Sequence, residues 1–219
     1  MDRVIWIVTP EYEPEAQASA ASVSRAMPQL ERTIFVSKGD SHPKWFVESI
    51  SLLISILDGC AGDKILWLDS DTYMIEAVPE LFNALVRTNL IIAHAPGHHT
   101  APTVASIPDL FPEYNIGVIA MNNNEITRGL WSAVHELQIT YPGVYGNNDQ
   151  APLREVLWNG YPISYLIMPS EYNCRFNFGC QVRDKVKILH GRGDYGWIAE
   201  SINAGYVEGD AIAPRIWLP

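Results

Sequence analysis

Lys64-Ile-Leu-Trp-Leu-Asp-Ser-Asp-Thr72 runs an apolar stretch straight into two acids spaced one residue apart. On an extended chain, residues i and i+2 face the same side. Asp69 and Asp71 are therefore expected to present their carboxylates together at the carboxyl end of a buried strand, where open α/β sheets bind ligands. Two carboxylates a few ångströms apart repel unless a cation lies between them. Hard oxygen donors suit Mn²⁺ or Mg²⁺, and either ion also bridges a diphosphate. Acids ending a strand also occur as plain decoration of an exposed turn, so the rest of the chain must supply partners.

His190 is one such partner. It closes Val186-Lys-Ile-Leu-His190 and is followed by Gly191-Arg192-Gly193. A neutral imidazole is a suitable third metal ligand. Gly191 and Gly193 would let backbone N–H groups approach a phosphate, with Arg192 pairing to it. Lys44 is a second candidate phosphate contact, at the start of the helix before the Asp69 strand. Asn115, just ahead of an apolar strand, offers both donor and acceptor to a sugar hydroxyl. Asp149 and Gln150 follow Asn147-Asn148 at a helix start. Asp149 is a natural N-cap, and both side chains reach a sugar if that helix start faces the cleft. His98 and His99 are candidates for acceptor contact. Trp131 fits a core face, and Trp197 fits either core or a stacking surface.

The elements that must position these residues alternate. Strands are expected at Val4–Val8, Thr33–Ser37, Lys64–Leu68, Leu90–Ala93, Ile116–Met121, Ile163–Ile167 and Val186–Leu189, from short β-branched or fully apolar runs. Helices are expected from Glu15 to Met27, Pro43 to Leu57, Pro79 to Arg87, Ile126 to Leu137 and Asp149 to Leu157. The helix from Ile126 shows apolar residues at 126, 130, 131, 134 and 137, one helical face. Repeated strand–helix units imply an α/β protein with a mostly parallel, doubly wound sheet and helices on both faces. Residues 94–114 form the longest loop-like stretch, rich in His and Pro, and long ordered loops are often functional.

The chain has 219 residues, enough for one domain spanning 1–219, and 47% of them are hydrophobic against 18% charged. Lys and Arg number 15 and Asp and Glu 25. That balance argues against a nucleic-acid partner, which needs clustered cations. Cys60, Cys174 and Cys180 are odd in number and irregular in spacing, and suggest neither a disulfide framework nor a metal knuckle. The Val4–Val8 run is too short for a signal segment, and no stretch approaches membrane-spanning length. A cytoplasmic protein with no integral membrane segment is expected.

The ordered set of motifs resembles glycosyltransferase family 8, the group that includes glycogenin and bacterial lipopolysaccharide galactosyltransferases. It comprises Ile5-Trp-Ile-Val-Thr9 followed by Tyr12, Leu68-Asp-Ser-Asp71, Tyr114-Asn-Ile-Gly-Val118, Asn148-Asp-Gln150, Met168-Pro-Ser-Glu-Tyr-Asn173 and Leu189-His-Gly-Arg-Gly193. The resemblance covers most of residues 3–193 and implies a GT-A type nucleotide-binding fold. It implies that Asp69, Asp71 and His190 hold Mn²⁺ (or Mg²⁺) against the diphosphate of a UDP-sugar, with Asp69 also near the ribose and Ser70 among the donor contacts. Thr9 and Tyr12 would line the nucleobase pocket. Asn115, Asp149 and Gln150 would meet the donor sugar, with Gln150 near the anomeric carbon. The acceptor would be a carbohydrate or another hydroxyl compound, and the transfer would retain configuration. One departure stands out: the family lysine six residues after the histidine is Gly196 here, which leaves Arg192 as the expected replacement.

Two other readings compete. Asp69-Ser-Asp-Thr72 also matches the Asp-x-Asp-x-Thr hallmark of haloacid-dehalogenase-like phosphatases, with Asp69 as nucleophile and Asp71 as acid. Those enzymes place that strand first in the domain and need a later Asp pair; neither feature is evident here. A catalytically silent nucleotide-sugar-binding module would carry the same motifs.

Overall fold

The computed structural model describes residues 1–38, 45–95, 101–207 and 214–218. The elements follow in order as β1 (Asp2–Val8), α1 (Glu13–Ala26), β2 (Glu31–Val36), α2 (Trp45–Gly59), β3 (Lys64–Leu68), β4 (Thr72–Met74), α3 (Pro79–Ala84), β5 (Leu90–His94), β6 (Tyr114–Asn122), α4 (Glu125–Thr140), α5 (Pro142–Tyr145), α6 (Gln150–Trp158), β7 (Tyr165–Ile167), β8 (Cys180–Val182), β9 (Ile188–His190), α7 (Tyr195–Asn203) and β10 (Arg215–Trp217). Short 3-10 turns sit at Pro10–Tyr12, Ser170–Tyr172 and Phe176–Phe178.

The apolar runs of β1 and β3 are continuous because helices cover both faces of their sheet. Val4, Trp6, Leu66 and Leu68 pack with Ala16 and Val23 of α1 and Phe82 of α3 on one face. Ile5, Ile65 and Trp67 pack with Leu53 of α2, Trp131 of α4 and Leu153 of α6 on the other. Trp131 is fully buried and meets Trp67 edge-on at 5.5 Å between ring centres. The inner face of α4 is displaced from the expected one. Ile126 is exposed, while Thr127 and Gln138 turn inward with Leu130, Trp131 and Val134. The helix begins one residue earlier than its apolar pattern, with Asn124 Oδ1 accepting the Thr127 N–H.

The central sheet has six strands in the order β2-β1-β3-β6-β5-β7. β1 is parallel to β2 and β3, and β5 to β7; β6 runs antiparallel to both β3 and β5. The mostly parallel sheet is as expected, with one reversed strand that the doubly wound reading did not include. The cause is local: no helix separates β5 from β6 among the described residues, and without a covering crossover a following strand returns antiparallel.

That connection is strapped onto α6 from inside. Arg154 and Glu155, both buried, reach out of the helix. Arg154 Nε donates to the Phe111 carbonyl at 2.9 Å and Nη2 to that of Pro108 at 3.1 Å. Glu155 accepts the Ala105 N–H at 3.0 Å and the Tyr145 hydroxyl, which itself accepts the Val104 N–H at 2.6 Å.

The late strand expected around Val186–Leu189 exists as β9, outside the central sheet. It forms an antiparallel ribbon with β4 in the register Thr72↔His190, Tyr73↔Leu189, Met74↔Ile188. A second ribbon joins β8 and β10. Cys174, Phe176, Leu189 and Ile198 form a small core beneath them. Among the described residues, no helix is long and apolar enough to cross a membrane.

Candidate active site

A tight turn, rather than an extended strand, carries the two acids. Thr72 N–H reaches the Asp69 carbonyl at 3.3 Å, and the Thr72 hydroxyl donates to the same carbonyl at 2.8 Å. α1 clamps this turn through small residues. Buried Ser19 is within 2.9 Å of the Thr72 hydroxyl and accepts the Trp6 indole N–H at 3.0 Å, while Ser22 Oγ accepts the Met74 N–H at 2.9 Å. The Ala and Ser content of α1 thus lets it press against β4.

The ribbon register brings His190 to the acids. Its Nε2 lies 3.5 Å from Asp69 Oδ2 and 3.4 Å from Asp71 Oδ1, and all three residues offer a ligand atom within 4.8 Å of one another. The ring lies over Gly117 of β6. A Cβ built there would sit 2.6 Å from Asp69 Oδ2, 2.7 Å from His190 Nε2 and closer still to Cε1. Only glycine fits beneath this triad.

A chain of amides fixes which ring nitrogen faces the acids. Glu113 Oε1 accepts from Gln150 Nε2 at 3.2 Å, and Gln150 Oε1 accepts from Asn115 Nδ2 at 3.0 Å. Asn115 Oδ1 accepts from Asn173 Nδ2 at 2.8 Å and from the Gly117 N–H at 3.2 Å. Asn173 Oδ1 then takes His190 Nδ1–H at 2.8 Å. A carboxylate only accepts and a backbone N–H only donates, so the polarity of the chain is pinned at Glu113 and again at Gly117. It delivers His190 with the proton on Nδ1 and the Nε2 lone pair aimed at Asp69 and Asp71. A hydrogen bond to the far nitrogen is how metal-binding imidazoles are oriented. Two carboxylate oxygens and one imidazole nitrogen fit an octahedral divalent ion such as Mn²⁺.

The electrostatics agree with that fit. Burial alone would lower the His190 pKa, but the hydrogen bonds and charges of Asp69 and Asp71 outweigh it and raise the value above 6.5. Burial would raise Asp71; His190 first, then the charges of Arg192 and Arg175, outweigh it and hold the value below the usual carboxylate range. Asp149, half-buried in the cleft with its carboxyl crowded by protein, is pushed up to about 8 by burial first and then by the charge of Asp69.

These groups face a cleft of about 630 Å³, within the range of small-molecule sites. Thr9, Tyr12, Asp69, Ser70, Asp71, Asn115, Asp149, Gln150, His190 and Arg192 all line it. Asp149 precedes α6 but makes no side-chain cap; Asn148 Oδ1 does, accepting the Ala151 N–H at 2.7 Å. Asp149 instead lines the cleft, its carboxyl held by its own backbone N–H and that of Gln150. Gly191 and Gly193 are not on the cleft wall. The Gly191 N–H donates to the Asp71 carbonyl at 2.8 Å, and its φ of +131° and close approach to Asn177 require glycine. Gly193 packs against Ile198 and Phe176. Arg192 forks onto Glu15 through Nε at 2.7 Å and Nη2 at 3.0 Å, with its guanidinium 5.1 Å above the Tyr12 ring; Ser70 Oγ donates to the same Glu15 at 2.6 Å. Trp197 is exposed and meets Trp217 edge-on. Lys44, His98 and His99 lie outside the described residues.

Sequence reasoning did not assign roles to Gly117, Asn173, Glu113, Glu15 or Arg175. Gly117 and Asn173 sit inside quoted motifs, so a signal existed. Glu113 immediately precedes one. Glu15 and Arg175 lie just outside quoted motifs, three residues after Tyr12 and two after Asn173, and nothing in their own type marked them.

No protein-family model matches the chain, and no curated protein matches it in sequence. Solved structures do match. The galactosyltransferase LgtC, in complex with donor and acceptor sugar analogues, aligns with a TM-score of 0.61 at 16% identity, covering 88% of this chain and 87% of its own. A glycosyltransferase involved in glycosylation of the major capsid of PBCV-1 aligns at 0.59 and 14% identity, over 91% of this chain and 99% of its own. Mouse xyloside xylosyltransferase 1 in its apo form aligns at 0.55 and 14% identity, over 88% and 98%. At such identities the likeness is one of fold, and the chain has the GT-A architecture that the resemblance implied.

Proposed function

We propose that this chain is a metal-dependent glycosyltransferase that moves a sugar from a uridine-diphosphate donor to a hydroxyl of a carbohydrate acceptor, as one domain working in the cytoplasm and with retention of configuration. The observation that carries this reading is the convergence of Asp69, Asp71 and the His190 Nε2 lone pair at the floor of a nucleotide-sized cleft. Solved proteins of this fold support it, one of them described with donor and acceptor sugar analogues. A divalent ion held by the three side chains would neutralise the leaving diphosphate. Thr9 and Tyr12 line the end assigned to the base. Asn115, Asp149 and Gln150 are assigned to the donor sugar, and Gln150 and Asp149 to the reacting carbon. Cleft walls that hold donor and acceptor together contribute positioning. The phosphatase reading fits less well, because Asp71 is held ionised by His190 and would be a poor proton donor.

The test is a thermal-shift screen of nucleotide sugars with and without Mn²⁺. A ligand that prefers the folded state raises its apparent stability. A uridine-diphosphate compound is expected to stabilise the protein only with the metal, and Asp71→Ala is expected to abolish that response while the protein still folds. Stabilisation that survives both EDTA and Asp71→Ala would overturn the site. Slow metal-dependent hydrolysis of the bound donor then separates a transferase from a silent binding module.

A further inference from the structure

A cation for the diphosphate is missing from its expected place. Gly196 stands where the resembling family carries lysine, and Arg192 is already forked onto Glu15. Arg175 is differently placed. It follows Asn173 and Cys174; Asn173 holds the His190 ring, and the Cys174 carbonyl accepts the His190 N–H at 2.9 Å. Its backbone is therefore fixed to the strand that carries the metal ligand. Its guanidinium lies over the Phe178 ring at 4.8 Å and lines the same cleft as Asp69, Asp71 and His190.

Among the described residues Arg175 makes no ion pair, and its Nε is buried without a hydrogen-bond partner. A buried charged donor left unmet is costly and normally has an anion or acceptor nearby. Burial disfavours its charge, and the carboxylates that counter this are Asp71 and Asp69. Those same two groups are committed once a divalent ion is bound, which leaves Arg175 facing the cleft with its fork free. A planar guanidinium fork matches phosphate oxygens.

We propose that Arg175 is the diphosphate-binding cation of this site, its guanidinium N–H groups donating to phosphate oxygens of the nucleoside diphosphate beside the metal ligands. This rests on the nucleotide-donor reading above and supplies a residue for it that no motif nominated. Arg192 with Glu15 and Tyr12 forms the rim instead.

The experiment is calorimetric titration of the full chain in Mn²⁺ with uridine, UDP and inorganic pyrophosphate. Wild type is expected to prefer UDP over uridine. Arg175→Gln is expected to lose about tenfold or more of that preference, the usual scale for a lost charge-assisted hydrogen bond, while uridine binds as before. Arg175→Lys keeps the charge without the fork and is expected to bind UDP more weakly than wild type but better than Arg175→Gln. The comparison of Arg175→Lys with wild type stands even if Arg175→Gln folds poorly. Full UDP preference in either variant, or its loss in Arg192→Gln with Arg175→Gln unaffected, overturns the proposal. Wild type that binds uridine and UDP equally overturns it while leaving the nucleotide reading intact. Wild type that binds pyrophosphate through Arg175 but no uridine compound overturns the donor reading and keeps the anion site. Binding of none of the three overturns both.

Discussion

At the floor of the cleft, the His190 side chain is 3% exposed and both of its ring nitrogens face fixed partners, whereas at the rim Arg192 keeps 59% of its side chain in water. The floor is held by buried and half-buried hydrogen bonds that run in one direction between Glu113 and His190 and by a glycine that admits the ring. The rim is held by an ion pair that solvent and salt compete with. The difference teaches where precision is built. The imidazole at the floor is held by partners on both ring nitrogens. The guanidinium that borders the open cleft is left adjustable.

The sharpest way to break the comparison is Gly117→Ala. The added methyl group would overlap the His190 ring, and moving the ring would break its hydrogen bond to Asn173 and its placement against the acids. Loss of detectable Mn²⁺ binding is expected, with a stability loss of about 1–3 kcal/mol from overpacking, read by calorimetry and denaturant unfolding. Asn173→Ala comes next. It leaves His190 Nδ1–H and Asn115 Oδ1 each short of a partner, and Mn²⁺ affinity is expected to fall about 10–100-fold, the range for lost outer partners of a ligand, with the fold retained by circular dichroism.

A pH series on the metal-free protein tests the floor without mutation. His190 has a folded pKa above its ordinary 6.5, so the stability it contributes is full below about pH 6.5 and is lost as pH rises through the raised value. Asp149 ionises more easily unfolded than folded, because its native value is about 8 against 3.8. Its influence also lowers stability as pH climbs between those values. The melting temperature in EDTA is expected to fall over this window, while stabilisation by Mn²⁺ grows as the imidazolium sheds its proton. His190→Gln should shrink both trends, and Asp149→Asn most of the remaining slope in EDTA. The smallest effect belongs to the rim. Glu15→Gln is expected to cost no more than about 1 kcal/mol, an amount that fades in high salt. A loss as large as that of Gly117→Ala would erase the distinction between floor and rim.

Much of the floor was legible because its acids and its histidine each end an apolar strand run. What local pattern misled was the reason for their proximity. Asp69 and Asp71 converge through a turn and a ribbon register, not through the alternation of an extended chain. The reversed direction of β6 had a signal that went unused: the His- and Pro-rich stretch before it lacks a helical pattern, and an antiparallel return needs no crossover helix. Asn173 and Gly117 sat within quoted motifs, yet their duties depend on contacts across 17 and 73 residues, counted from His190. Arg175 lies two residues beyond a quoted motif and Glu15 three beyond Tyr12, yet neither residue's own type or spacing singles it out, and packing brings both to the cleft.

The pairing of β4 with β9 also has a bearing on tolerance to change. Successive side chains on a strand point to opposite faces, so a slip of one place would set Leu189 opposite Thr72 and swing the imidazole away from the acids. Lengthening or trimming the surface loops between residues 75 and 187 leaves that alignment untouched, whereas a single deletion inside the ribbon destroys it. A bound ion would thus act as a proofreader of strand alignment, rewarding only the one pairing in which acids and imidazole meet.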